Sequence, residues 1–440
     1  MPSSWKDYLE NNLTSDTRLI AFYLPQYHPI PENDAWWGKG FTEWTNVTKA
    51  RPNFSGHDQP HLPADLGFYD LRLPEARQAQ ADLARQYGVA AFCYYYYWFG
   101  GHKLLQRPIE EMQRLGQPDF PYCICWANES WTRTWDGAGH QVLVEQSYTS
   151  DDVRNFIRDL LPFLGDPRYL RVHGRPLLLV YRISDLPDPR RTVDSWREEV
   201  VRAGLPDLYL CAVQSFDIRD PRPYGLDAAV EFPPHGNFEH SINGTFQFTN
   251  ARFRGHVYDY QRAIAKSLAK PDPDYTLFRS VIPRWDNTAR RQDTGDIFVN
   301  SDPASYEFWL RMIVGLTQEK RAGDERLVFI NAWNEWGEGC HLEPDREYGH
   351  QYLEATRNAV HSTPGWSQGV AKLIAQLPLE SAGKPLLHEL GRRAAMTDPD
   401  LRRLVDSHRV SHIRGCAPTE RSLVERVKWY ARRRLIQLLS

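Results

Sequence analysis

"RLVFINAWNEWGEGCH", residues 326–341, joins a short apolar run to two glutamates, Glu335 and Glu338, set among Trp333, Trp336 and two glycines. An apolar run of this length that ends in polar and glycine residues reads as a buried strand. The acids then stand just past its C-terminal edge. Strict alternation beyond Trp333 would turn Glu335 and Glu338 to opposite faces. Gly337 and Gly339 accept backbone angles that other residues avoid, so a turn starting near Asn334 can bring both acids to one side.

Seven comparable runs precede it: "RLIAFYLPQY" from Arg18, "VAAFCYYYYWF" from Val89, "PYCICWANE" from Pro121, "RPLLLVYRI" from Arg175, "LYLCAVQS" from Leu208, "AAVEFPPH" from Ala228 and "YTLFRSVIPRW" from Tyr275. Between them, 73–88, 151–164, 195–204, 257–270 and 305–320 carry apolar positions three or four apart, the period of a helix face. Residues 103–115 are a weaker helix candidate, and the link from Ser215 to Ala228 is too short for a full helix. Near-continuous apolar strands are those covered by helices. Eight such strands with mostly helical crossovers predict an α/β fold, a (β/α)8 TIM barrel, with a doubly wound open sheet as the competing arrangement. The expected layout is an N-terminal extension 1–17, a barrel 18–362 and a short, mostly helical C-terminal segment 363–440. That segment ends in "ERSLVERVKWYARRRLIQLL", with Val424, Val427, Ala431, Leu435 and Leu438 on one stripe and basic residues largely elsewhere. A basic amphipathic helix of this kind either makes peripheral contact with an anionic membrane or packs its stripe on the barrel or a second subunit.

A net charge of -3 argues against a nucleic-acid partner. Aromatic residues make up 13% of the chain, and many close apolar runs, where a cleft would need flat faces for stacking. Of six cysteines, four lie in or beside apolar runs, which suits buried thiols. The start "MPSSWKDYLENNLTSD" has no basic and apolar signal regions, and no run approaches the ~20 apolar residues of a membrane span, so the default compartment is cytoplasmic, peripheral to the inner membrane if the last helix binds lipid.

A barrel collects its active site at the C-terminal ends of the strands. The residues that close the runs are therefore expected to converge: Tyr23 and His28; Tyr97; Asn128 and Glu129; Tyr181; Gln214; Glu231; Trp285 and Asp286; Trp333, Asn334 and Trp336. In "PENDAWWGKGFTEWTN", Glu43 is a candidate for bonding sugar hydroxyls, and Trp36 and Trp44 for stacking. Trp126, Trp131 and Trp135 are candidates for a cleft wall. His57 and His61 suit a polar rim and lack a third ligand at metal spacing, so no metal or other cofactor is expected. Two carboxylates at one reacting carbon are what glycosidic chemistry asks for, one to protonate the leaving oxygen and one to deprotonate or attack. Their repulsion raises one pKa towards neutrality. For a nucleotide-sugar site the nearest motif is Asp272-Pro-Asp274, which reads as a surface turn; "WWGKGF" lacks the third glycine and the following helix.

Together, "FYLPQYHPIPENDAWWGKGFTEWTNV", "QPHLPADLGFYDL", "YGVAAFCYYYYWF", "CICWANESWTRTWDG" and "INAWNEWGEGCHLEPD" resemble the WbsX-like family over about residues 18–361. These are bacterial proteins labelled as glycosyltransferases or polysaccharide-biosynthesis proteins. That family in turn resembles glycoside hydrolase family 99, endo-acting α-mannosidases and mannanases with a (β/α)8 barrel that retain anomeric configuration. By motif position, the resemblance implies that Glu335 acts as base on the sugar 2-hydroxyl, giving an epoxide-like intermediate, and Glu338 as general acid/base. Gly337 departs from that pattern, which carries histidine there. The leading expectation is retaining cleavage of an oligosaccharide or a bacterial surface polysaccharide, α-mannoside-like, by Glu335 and Glu338. The alternatives are a glycosyltransferase or transglycosylase of O-antigen or other polysaccharide synthesis, and a non-catalytic glycan-binding protein; Glu129 is the alternative acidic helper.

Overall fold

Leu277–Phe278 and Ser280–Val281 are two halves of one strand interrupted at Arg279, and each half pairs with a different neighbour. That arrangement closes the sheet into a barrel. The computed structural model describes residues 17–133, 138–146, 148–216, 218–360 and 371. Its barrel strands are β1 (Arg18–Tyr23), β2 (Val89–Phe99), β3 (Tyr122–Trp126), β4 (Arg175–Val180), β5 (Tyr209–Gln214), β6 (Ala228–Glu231), the split β7 and β8 (Leu327–Ile330). Neighbours in sequence are neighbours in space, all parallel, from β1 to β6; the halves of β7 join β6 to β8, and β8 pairs with β1 from Arg18↔Leu327 to Ala21↔Ile330. All eight expected runs are strands. The doubly wound alternative fails on the β8–β1 pairing, because an open sheet leaves two edges.

The helices relevant here are α1 (Pro31–Trp37), α2 (Glu43–Lys49), α3 (Pro74–Gln86), α4 (Arg107–Leu115), α5 (Ser150–Leu164), α6 (Pro189–Arg202), α7 (Tyr260–Ala269), α8 (Thr288–Arg291), α9 (Pro303–Lys320) and α10 (Gln351–Val360). Their starts are written in side chains. Asp188, Asp259 and Asp302 cap α6, α7 and α9 through the backbone N–H three residues on, and Thr149 forms a capping box with Asp152 at α5. Among its described residues, the β5–β6 link holds a single turn at Arg222–Tyr224, in keeping with its length.

Alternation along β2 explains its run of tyrosines. Tyr96 donates to Asp159 of α5, and Trp98 packs on Phe156 of the same helix, so the even residues face the helical layer. Tyr95 points inward and stacks on Phe22 of β1 at 5.6 Å. Tyr97, two residues on, reaches the mouth. Trp126 of β3 also faces outward, stacked on Phe156 at 4.0 Å and edge-on to Trp196 of α6 at 5.8 Å.

The expected segments 1–17 and 363–440 lie outside the described residues apart from Thr17 and Ala371, as do Trp135 and the basic amphipathic end. Among the described residues, no helix is long and apolar enough to cross a membrane.

Trp126→Ala removes a fully buried ring that joins β3 to two helices. It should cost ~3–5 kcal/mol of folding stability in denaturant titration, with an unchanged m-value.

Candidate active site at the barrel mouth

Past β8 the chain forms a small hairpin. Asn334–Glu335 pairs antiparallel with Cys340–His341, and the tip is a single turn, Trp336–Glu338, closed by Gly339 at φ 59°. That left-handed angle favours glycine, and a Cβ there would also meet the backbone of Asp286 at 3.0 Å. The tip is held from both sides. Asn334 accepts from the N–H of Leu24 at 2.7 Å and donates back to its carbonyl at 3.0 Å, locking the hairpin to the end of β1. The Tyr27 hydroxyl donates to the Asn334 carbonyl and accepts the Trp336 N–H. The Asp286 N–H donates to the Glu338 carbonyl at 2.7 Å.

Both acids end on one guanidinium. Arg290 of α8 places Nη2 2.5 Å from Glu335 Oε1, Nη1 2.9 Å from Glu338 Oε1 and Nε 2.9 Å from Glu43 Oε1. Glu43 and Glu335 are buried, whereas the Glu338 side chain keeps a quarter of its surface exposed. Three carboxylates against one cation leave an excess of two negative charges if all are ionised. Burial first, then the charges of Glu338 and Glu43, push Glu335 up to about 8 against the pull of Arg290. Burial and Glu43 raise Glu338 as well, again opposed by Arg290. The pair therefore keeps a proton near neutral pH and titrates as a unit. It faces the barrel interior: the charge of Glu335 reaches the phenols of Tyr95 and Tyr97 on β2, and that of Glu338 reaches Tyr181 just after β4.

Gly337 now has a reason. A Cβ on it would lie 2.0 Å from Glu43 Oε1 and 2.8 Å from Arg290 Nε. The missing side chain is the space in which the Glu43–Arg290 pair lies.

Several expected residues gather around this cluster. Half-exposed Tyr97 meets Trp131 at 5.0 Å, and Trp131 meets Trp36 at 5.9 Å, forming one aromatic wall. Tyr181 packs edge-on to Phe232 at 5.3 Å. Glu129 is half-exposed, 3.7 Å from Arg182, and Asn128 is buried and brackets the backbone of Arg182 through both ends of its amide. Gln214 does not join them: it is level with Glu231 in the β5–β6 register and donates to Tyr275 and to the Arg219 carbonyl.

Others lie elsewhere than expected. Tyr23 has the outward parity of β1: its hydroxyl donates to Gln80 of α3 at 2.6 Å. Trp333 is fully buried against Phe92 in the same outer layer. Trp44 and Trp336 brace each other at 5.5 Å; Trp336 also stacks on His341 at 3.7 Å and donates to Glu343, and Trp44 donates to the Tyr69 carbonyl. Their faces are covered by protein. Glu231 is buried in a pair with Arg279 and also meets Lys270. Asp286 is saturated by His57, Gln59 and Thr288, which makes it a brace for α8. Trp285 is buried and receives the Phe298 N–H on its carbonyl. His28 is buried and bonded to the Pro25 carbonyl, and burial lowers its pKa to about 4, so it is neutral. Arg290 was not foreseen, and its place in "NTARR" carries no spacing that ties it to Glu43, 247 residues earlier.

Residues 19–356 match the family described as glycosyltransferase WbsX. Over 351 residues the chain is 48% identical to "Uncharacterized protein WxcX" of Xanthomonas campestris pv. campestris (strain B100), covering 80% of this chain and 50% of WxcX. The chain spans about half the length of the curated relatives it matches. A solved glycoside hydrolase-like protein shares the fold at a TM-score of 0.50 and 14% identity, over 79% of this chain and 95% of its own. The GH99 endo-α-mannosidase from Bacteroides thetaiotaomicron gives 0.48 at 15% identity, over 83% and 100%. Barrel and family match together define the class, a TIM-barrel chain in a family described as glycosyltransferase. The chain belongs to the glycosyltransferase WbsX family.

Two measurements check the cluster. Unfolded, Glu335 titrates near 4.5; folded, it is pushed up to about 8, so the folded chain holds the extra proton between these values. Its contribution to stability is full at the acid end of that window and is lost as pH rises to the alkaline end. The melting temperature of wild type should therefore fall relative to Glu335→Gln between about pH 5 and about pH 8; a difference that stays flat contradicts the buried proton. Gly337→Ala should cost ~1–3 kcal/mol through overpacking against Glu43 and Arg290, read in the same melts.

Proposed function

We propose that this protein breaks a glycosidic bond at the barrel mouth with Glu335 and Glu338 and passes the glycosyl group to a hydroxyl of a second saccharide. The observation that carries this is the pair itself: two acids on one turn, anchored to one guanidinium, sharing a proton at neutral pH and facing the mouth. In the step, the C1–O bond of the donor glycoside breaks and the protonated acid gives its proton to the leaving oxygen. The acceptor hydroxyl oxygen then bonds to C1, and its proton returns to the carboxylate, so the acid–base pair ends as it began. Arg290 limits the charge of the unprotonated state and fixes where both oxygens sit. The roles are assigned to the pair jointly; the resemblance gives the base to Glu335, while its burial favours the proton there.

The family's description favours transfer over hydrolysis. An oligosaccharide or polysaccharide donor, within polysaccharide synthesis, is favoured over a nucleotide sugar. Asp272 and Asp274 precede β7, at the end of the barrel opposite the mouth, and are paired with Lys320 and Arg222. A second reading has a specific support: the quarter-exposed side of Glu338 admits water, and water in place of the acceptor gives hydrolysis at the same site.

The test is a screen of defined α-linked oligosaccharides and bacterial surface polysaccharides with wild type, Glu335→Gln and Glu338→Gln. Either substitution should keep the fold by circular dichroism and lower turnover by at least ~10²-fold. Chain-lengthened products in mass spectra mark transfer, and new reducing ends without lengthening mark hydrolysis. Equal turnover by all three proteins would sink the assignment.

A further inference from the structure

One aromatic residue at the mouth has no framework role in the site described. Phe216 follows β5 at the tip of a tight turn, with φ +55°, an angle that a bulky side chain adopts only when its surroundings impose it. The turn is pinned: the Ser215 hydroxyl donates to the Tyr181 carbonyl at 2.9 Å, and the Ile218 N–H returns to the Ser215 carbonyl at 3.4 Å. The ring is stiffened from beneath and from the side. The Arg182 guanidinium lies 4.1 Å from its centroid, and His235 meets it at 5.0 Å. The residue is nevertheless 54% exposed. A large ring held in a strained turn, backed by a cation and left open to solvent, costs stability without filling any core.

Its neighbours give it a direction. His235 stacks on Phe232, and Phe232 meets Tyr181, the tyrosine that feels the charge of Glu338. An aromatic row thus runs from Tyr181, just after β4, to Phe216, just after β5, separate from the wall of Tyr97, Trp131 and Trp36. We infer that Phe216 is the platform of a second sugar subsite, on which a pyranose of the acceptor saccharide stacks on the Tyr181 side of the mouth. The ring offers an apolar face for the axial C–H side of a pyranose, and the polar groups of Arg182 and His235 at its edge suit hydroxyls. The name of acceptor subsite rests on the proposed transfer; the subsite itself rests on the ring.

Saturation-transfer NMR with methyl α-D-mannopyranoside and methyl α-D-glucopyranoside tests it on wild type, Phe216→Trp, Phe216→Ala and Phe216→Gly. Pyranose signals are expected with wild type and with the tryptophan variant, with affinity about tenfold weaker or lost in the other two. Phe216→Gly should also melt at the same temperature as wild type or higher, because glycine relieves the positive φ, whereas a packing role would lower it. Probe binding equal in wild type and Phe216→Ala, absence of binding by wild type, or a lowered melting temperature of Phe216→Gly each overturns the inference. The same titration on Glu335→Gln and Glu338→Gln should retain binding. If those variants turn over normally, the catalytic assignment falls while the Phe216 titration still decides the subsite.

Discussion

One buried guanidinium sets the terms for everything around it. Arg290 faces three carboxylates, and desolvating four charged groups is expensive unless each is paired and held. The cost explains the amount of structure devoted to keeping it still. The short helix that carries Arg290 starts at an aspartate saturated by a histidine, a glutamine and a threonine. The hairpin that carries two of the acids is tied to β1 by Asn334 and to Tyr27 by its backbone. Glycines stand at the two points where backbone or charge comes too close for a Cβ. A hydrophobic cluster of the same volume would be as stable or more so; what the charges add is position and a proton that is not given up at neutral pH.

The cluster also divides the mouth. Glu335 is deep and belongs electrostatically with the β2 tyrosines; Glu338 is shallower and belongs with Tyr181. Most of the aromatic residues that make the composition unusual are spent on framework. Trp98, Trp126 and Trp196 fill the space between strands and helices, and Trp44, Trp336 and Tyr27 brace the hairpin. Among the rings near the mouth that stay partly open, Trp36, Tyr97 and Trp131 make one contact group, and Tyr181 and Phe216 stand near the ends of β4 and β5. Open rings in more than one place around the mouth suit the proposed reaction, which must hold a saccharide on both sides of the bond it acts on.

The barrel was legible because its signal is local: each strand is one apolar run, and eight runs with helical spacers leave few ways to bury both faces. The turn at Glu335 was legible for the same reason, since glycines next to a strand end announce a change of direction. Tyr23 shows where this stops. It closes a run as Tyr97 does, but the parity that sends Phe22 inward sends Tyr23 to the helices, and a run's end does not fix its parity. Trp44 and Trp336 were expected as open platforms because aromatics beside acids suggest stacking; in the fold they stack on each other, 292 residues apart in sequence on the count 336 − 44. Arg290 was invisible because pairing over such a distance leaves no mark in spacing.

Gly337 carries the argument furthest. The geometry shows that a side chain at 337 and the Glu43–Arg290 pair are mutually exclusive, because they claim the same volume. Glu43 and Arg290 are instead brought into that volume by α2 and α8. In this chain the proton affinities of Glu335 and Glu338 are therefore set together with Glu43 and Arg290, and none of the four can be changed without shifting the others.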